Sequence, residues 1–113
     1  GIHQFVRIGK LAMIGGLSKL VTDAPPYMMV DGRPTEVAGL NVLGLRRAGI
    51  PPKVRAGLKQ AFRLLYRSGL NLSQGIEAAY NEVEPSEERD YLLEFLSNFR
   101  RGYSGRQNDP RGR

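Results

Sequence analysis

Ile2, Ile8, Ile14 and Leu20 fall six residues apart, a period that fits neither the 3.6-residue helix nor the two-residue alternation of a strand. Gly9 and Gly15 each follow one of these aliphatics, and Val6, Ala12, Ser18 and Ala24 put a short side chain four positions after each. A left-handed parallel β-helix needs this arrangement: one aliphatic per face fills the prism, a small residue packs beside it, and glycine permits the corner. Four hexads cannot bury a core alone, because each repeat leans on stacked neighbours, so the chain is expected to begin in mid-repeat. Asp23-Ala24-Pro25-Pro26-Tyr27 then reads as a rigid corner, residues 28–30 as a final strand, and Asp31-Gly32-Arg33-Pro34 as its end.

Further along, the period becomes helical. Residues 41–48 have helical composition, and Gly49 followed by Pro51-Pro52 is a stop and a restart. A longer helix is expected over 52–68, with Val54, Leu58, Ala61, Phe62 and Leu65 at i, i+3, i+4 spacing and Gly69 closing it. Asn71 or Ser73 can cap a third helix, whose Ile76, Ala79, Tyr80 and Val83 face inward. Ser86, with Glu87 and Glu88 behind it, opens a fourth, with Leu92, Phe95, Leu96 and Phe99 toward the core. The expected fold class is mixed β then α: terminal coils of a left-handed parallel β-helix over 1–38, a small antiparallel helical domain over 39–101, and a flexible basic tail over 102–113.

Composition narrows the chemistry. With no cysteine and one histidine, the chain offers no disulfide, no thiolate nucleophile and no His-rich metal centre, and no metal or cofactor is expected. Apolar runs are far shorter than the roughly 20 residues that span a bilayer, so a soluble protein with no integral membrane segment is expected. The net charge of +6 is unevenly spread: eleven Lys or Arg against three acids over residues 1–70, one against seven over 71–99. That segregation predicts a basic face with an anionic partner. Arg55, Lys59, Arg63 and Arg67 recur every fourth residue, forming one stripe on the long helix, with Arg46 and Arg47 just upstream. The plain alternative is a solvated face.

Three longer strings carry a family resemblance. His3-Gln4-Phe5 with Ile8-Gly9, Met13-Ile14-Gly15-Gly16 and Asp23-Ala24-Pro25-Pro26-Tyr27 resemble the final coil of the bacterial acyl-(acyl-carrier-protein) UDP-N-acetylglucosamine O-acyltransferases. Gly39-Leu40-Asn41-Val42-Leu43-Gly44-Leu45-Arg46-Arg47 is similar to the stretch leading into that family's helical domain, and Tyr66-Arg67-Ser68-Gly69-Leu70-Asn71-Leu72 to a turn between its helices. The match runs over residues 2–101 in the family's order.

The resemblance implies a cytoplasmic homotrimer with clefts between neighbouring β-helices, moving a 3-hydroxyacyl chain from acyl carrier protein to the 3-hydroxyl of UDP-N-acetylglucosamine, the first step of lipid A synthesis. It implies that the histidine general base precedes Gly1, so that no catalytic residue lies in this chain and the chain alone is inactive. His3 and Gln4 correspond to positions lining the sugar, Asn41 to one holding the nucleotide, and Arg47 to one near the diphosphate. Met13 and Gly16 match the acyl groove. Arg46, Arg47, Arg55, Lys59, Arg63 and Arg67 would dock the carrier protein. Bland roles stand beside these: a coil-wall histidine, a helix cap for Asn41, a tight corner at Gly15-Gly16. Two positions depart from the family's pattern, Ala48 where many members carry arginine and Leu43 where some carry an acid. The competing readings are a non-catalytic basic interaction module and the related N-acyltransferase that acts one step later. No nucleic-acid signature is present, and nucleic acid is not an expected partner.

Overall fold

The computed structural model describes residues 7–16, 23–32 and 36–108, with side chains as far as Asn98. Three strands come first: β1 (Met13–Ile14), β2 (Met28–Asp31) and β3 (Glu36–Leu40). Four helices follow: α1 (Val42–Arg47), α2 (Pro52–Tyr66), α3 (Leu72–Glu82) and α4 (Glu87–Asn108). The sheet order is β1-β2-β3.

β1 and β2 pair in parallel, Met13 opposite Met29 and Ile14 opposite Val30, and an isolated parallel bridge joins Ile8 to Ala24. Every partner is sixteen residues ahead, whereas three full hexads would set eighteen. The coil is two residues tighter than the repeat predicts, and Ala24, not another branched aliphatic, stacks on Ile8. Gly9 is required by this closeness, since a Cβ there would sit 2.4 Å from the backbone nitrogen of Pro26. Leu11 and Tyr27, also sixteen apart, both adopt left-handed backbone at φ 58° and 67°. They are equivalent corners on successive levels, in a conformation that side chains with a Cβ rarely take.

β3 is an additional antiparallel strand beyond the expected strand end at Asp31-Gly32, with Val30 opposite Val37 and Met28 opposite Leu40. It runs across residue 38, and Tyr27 and Met28 join the helical core, so packing is continuous where the sequence suggests a boundary. That core contains Leu45, Leu58, Leu65, Ile76, Leu92 and Leu93 among others. Ala24 and Val30 form a smaller coil cluster with Ala12, Ile14 and Val37.

The helices start where side chains can satisfy the first free N–H groups. Asn71 caps α3 in a reciprocal box: its Oδ1 accepts from the Gln74 N–H at 2.9 Å, while Gln74 Oε1 accepts from the Asn71 N–H at 3.1 Å. At α4 the Ser86 hydroxyl accepts from the Arg89 N–H at 3.0 Å, and Glu87, Glu88 and Asp90 meet the positive end of the dipole. Gly75 lets α3 approach α2, for a Cβ there would lie 3.1 Å from the Leu64 carbonyl oxygen. α4 extends to Asn108, through the first part of the segment expected to be a flexible tail. Gly102 and Gly105 weaken a helix by about 1 kcal/mol each relative to alanine, too little to stop one already propagating from a packed stem.

Candidate functional site

Asn41 sits between the coil and the helices. Its backbone N–H donates to the Tyr27 carbonyl at 2.7 Å, and its Nδ2 donates to the Leu11 carbonyl at 2.9 Å. Its Oδ1 accepts from the Gly44 N–H at 3.1 Å, capping α1. One residue thus ties both left-handed corners to the start of α1, and it is buried at 6% exposure. The capping role expected for Asn41 is therefore present, and its amide is already engaged at both ends within the chain. Gly44 follows from this contact, since a Cβ there would meet the Asn41 amide at 2.3 Å.

From that anchor α1 carries Arg46 and Arg47 on its last turn, both exposed. Ala48 is the C-cap residue, so an arginine's charge is missing at the helix end. Val42 and Leu43, exposed at 46% and 52%, make the first turn of α1 apolar where an acid would have been polar.

The stripe on α2 divides. Arg55 is half-buried, and Lys59 and Arg63 are exposed. Arg67 lies past the last helical turn, where its Nη2 donates to the Val37 and Ala38 carbonyls at 3.3 and 3.4 Å and its Nη1 to the Tyr66 carbonyl at 2.9 Å. Its guanidinium also lies 4.8 Å from the centre of the Phe62 ring. Four-residue spacing placed Arg67 with the other three; the structure ties it to β3 instead, because α2 ends at Tyr66. Among the described residues, no acidic group pairs with Arg46, Arg47, Arg55, Lys59 or Arg63 within salt-bridge distance.

On the sheet, Met13 and Met29 are adjacent across the parallel ladder and exposed at 45% and 38%. Gly16 is exposed, and a Cβ added to it would meet nothing within 4 Å. Its φ is not positive. Among the described residues, neither packing nor backbone conformation requires glycine at Gly16. His3 and Gln4 lie outside the described residues.

Two arginines that the sequence reading passed over hold the unit together. Arg7 Nε pairs with Asp23 Oδ2 at 2.6 Å, its Nη2 donates to the Phe95 carbonyl at 3.0 Å, and its guanidinium lies 4.1 Å from the centre of the Phe95 ring. Arg89 is buried, with Nη1 donating to the Tyr80 and Val83 carbonyls at the end of α3. Only its position, isolated in the acidic 71–99 segment, hinted at a structural role. Among the described residues no group of three acids or histidines could hold a metal ion, and no helix is long and apolar enough to cross a membrane.

The comparisons with known proteins give this geometry a family. A family model described as UDP N-acetylglucosamine O-acyltransferase, domain 2, matches residues 23–104. The acyl-(acyl-carrier-protein) UDP-N-acetylglucosamine O-acyltransferase of Verminephrobacter eiseniae is 55% identical over 78 residues, covering 69% of this chain and 30% of that protein. A solved UDP-N-acetylglucosamine acyltransferase from Bacteroides fragilis superposes with a TM-score of 0.81 at 38% identity, over 86% of this chain and 38% of that one. An Arabidopsis UDP-N-acetylglucosamine acyltransferase does so at 0.74 and 31% identity, over 82% and 34%. The class defined is that of the acyltransferases acting on a sugar nucleotide. The chain belongs to the UDP-N-acetylglucosamine O-acyltransferase family, and it spans about a third of the length of the relatives it matches.

Proposed function

We propose that this chain supplies the carrier-protein docking surface and one wall of the cleft in an enzyme that moves a 3-hydroxyacyl chain from acyl carrier protein to the 3-hydroxyl of UDP-N-acetylglucosamine. In that reaction the sugar oxygen attacks the thioester carbonyl, a C–O bond forms, the C–S bond breaks, and the carrier thiol leaves with the proton. The general base is a histidine on an earlier coil of a left-handed β-helix, and none of the residues of this chain is assigned to that proton transfer. The enzyme is a cytoplasmic homotrimer in this reading, and the step opens lipid A synthesis.

The observation that carries the reading is the set of unpaired cations on α1 and α2, anchored to the coil through Asn41. Like charges at four-residue spacing on one helix are unfavourable unless a partner offsets them. A carrier protein with an acidic helix fits a stripe that is about 12 Å long from residue 55 to residue 63 at 1.5 Å per residue. Arg47 binds the diphosphate, for which a guanidinium fork is suited, with Arg46 beside it. Asn41 serves the nucleotide site by fixing α1, which keeps Arg47 at the cleft. Met13 and Gly16 line the acyl groove, where the space beside Gly16 admits a longer chain. His3 and Gln4 line the sugar pocket. Arg67 contributes by holding β3 to α2, and docks the carrier less directly than Arg63.

Titrating the 113-residue chain with acyl carrier protein tests the docking. Saturable binding that weakens about tenfold in Arg63→Glu and in Arg47→Glu supports it, and should also weaken with salt. If duplex DNA binds more tightly than the carrier protein in the same buffer and those reversals abolish only the DNA complex, the chain is a nucleic-acid module instead.

A further inference from the structure

On the side of the molecule where the coil meets the start of α4, a recess of about 340 Å³ is lined by Lys10, Tyr27, Glu87, Glu88 and Tyr91. That volume lies at the small end of the roughly 300–1,000 Å³ range of ligand sites. Its residues are absent from the docking and cleft assignments above, and the inference drawn from it does not depend on them.

Tyr27 is the unusual member. Its side chain is almost wholly buried, at 3% exposure, yet its hydroxyl makes no hydrogen bond with any described residue. Buried phenols almost always find a partner. The edge of its ring meets Tyr91 with centroids 5.9 Å apart and planes at 80°. Tyr27 lines the recess together with Glu88 and Tyr91 of α4, and both act on its hydroxyl. Burial, then Glu88, then Tyr91 push its pKa up to about 12, so the phenol stays protonated at neutral pH. Lys10 forms no ion pair with Glu87 or Glu88. The Tyr91 oxygen accepts the Lys10 backbone N–H at 3.0 Å and keeps a second lone pair.

We infer that this recess is a binding site for an alkylammonium or guanidinium group, received by the Tyr27 and Tyr91 oxygens and the Glu87 and Glu88 carboxylates. Two phenols supply aromatic walls and acceptor oxygens, and two acids supply charge, which is how proteins hold organic cations. Two carboxylates against one lysine leave the lining net negative, which favours a cation over a neutral or anionic ligand. A bare divalent ion lacks enough oxygen ligands here, since the described residues contain no cluster of three acids. The cation can come from a free polyamine or from a lysine or arginine side chain on another protein.

The test is an NMR titration of the 113-residue chain with cadaverine, with a short peptide bearing one arginine, with 1,5-pentanediol and with magnesium chloride. Saturable shifts at Lys10, Tyr27, Glu88 and Tyr91 are expected with the diamine or the peptide, and none with the diol. The tighter of the two cationic probes identifies the source. Tyr27→Phe, which keeps the ring in the core, should weaken binding about fivefold, and Glu88→Gln about tenfold. Absence of saturation with both cationic probes overturns the assignment. So do equal shifts with magnesium, or unchanged affinity in Glu88→Gln, which keeps the shape of a half-buried side chain in the first turn of α4.

Discussion

The two halves of the molecule bury their apolar residues in different ways. In the helical half, Leu58, Ala61, Leu92 and Leu93 are at most 1% exposed and belong to one continuous core. In the coil half, Ala24 and Val30 are the buried members of their cluster among the described residues, while Ile8 is 48% exposed and Met13 45%. A helix with an apolar stripe can find its partner one turn of chain later. A solenoid coil can satisfy its prism residues only against the coils stacked above and below it. The contrast explains why the helical half reads as self-sufficient, while the strand half leaves large apolar side chains at its surface.

The sharpest way to break this comparison is to cut the same kind of side chain in both halves. Leu92→Ala should cost about 2–5 kcal/mol, because it leaves a cavity in the closed core. Met29→Ala should stay within about 0.5 kcal/mol, as exposed positions usually do. Urea denaturation of the two variants decides, and equal losses would mean that the coil is as well packed as the helices.

Arg89 comes next. Arg89→Met removes the donors to the Tyr80 and Val83 carbonyls and should cost about 1.5–3 kcal/mol, with α3 losing hydrogen-exchange protection at its C-terminal turn first. Arg7→Gln tests the bridge between halves. Its guanidinium is partly solvated, so the expected loss is smaller, about 1–2 kcal/mol after allowing for screening. That loss should uncouple the coil amides from α4 in hydrogen exchange while the helical core keeps its protection.

Within the stripe, Arg67→Glu should destabilise by about 1 kcal/mol because it strips donors from the β3 carbonyls. Arg63→Glu should change stability by less than about 0.5 kcal/mol. Thermal melts compare them directly. A further effect appears only in alkali. Tyr27 has its folded pKa raised from 10.0 to about 12, so its stabilising contribution is complete below pH 10 and lost as pH climbs through 12. Tyr66, raised by burial, behaves in the same direction. Tyr27→Phe should therefore make the alkaline decline in stability shallower without removing it.

Much of this was legible in the order of residues. Asn71 and Gln74 announce their capping box, Ser86 its helix, and Leu58, Ala61 and Leu65 their buried face, because each signal acts within four residues along the chain. The hexads likewise pointed to parallel stacking. The sixteen-residue register was not legible, since the six-residue spacing of Ile2, Ile8, Ile14 and Leu20 by itself sets eighteen. β3 escaped because Asp31-Gly32 and Pro34 signal an ending equally well whether the chain leaves the sheet or doubles back onto it.

The candidate site shows the same division. Arg46 and Arg47 were visible as a basic pair, and the chain places them, exposed, at the end of α1. The double grip of Asn41 on Leu11 and Gly44 spans thirty residues on one side and three on the other, and only the short arm was readable. Spacing put Arg67 on the docking stripe; the end of α2 at Tyr66 turned it toward β3. By itself, then, the sequence determined the helices, the caps of α3 and α4 and the family, because these depend on local periodicity and on strings of neighbouring residues. Tertiary structure alone decided the coil register, the left-handed corners at Leu11 and Tyr27, the commitment of Arg7 and Arg67, and the unpartnered hydroxyl of Tyr27. Each of these depends on atoms that meet across sixteen to nearly ninety residues of chain, and no periodicity encodes such meetings.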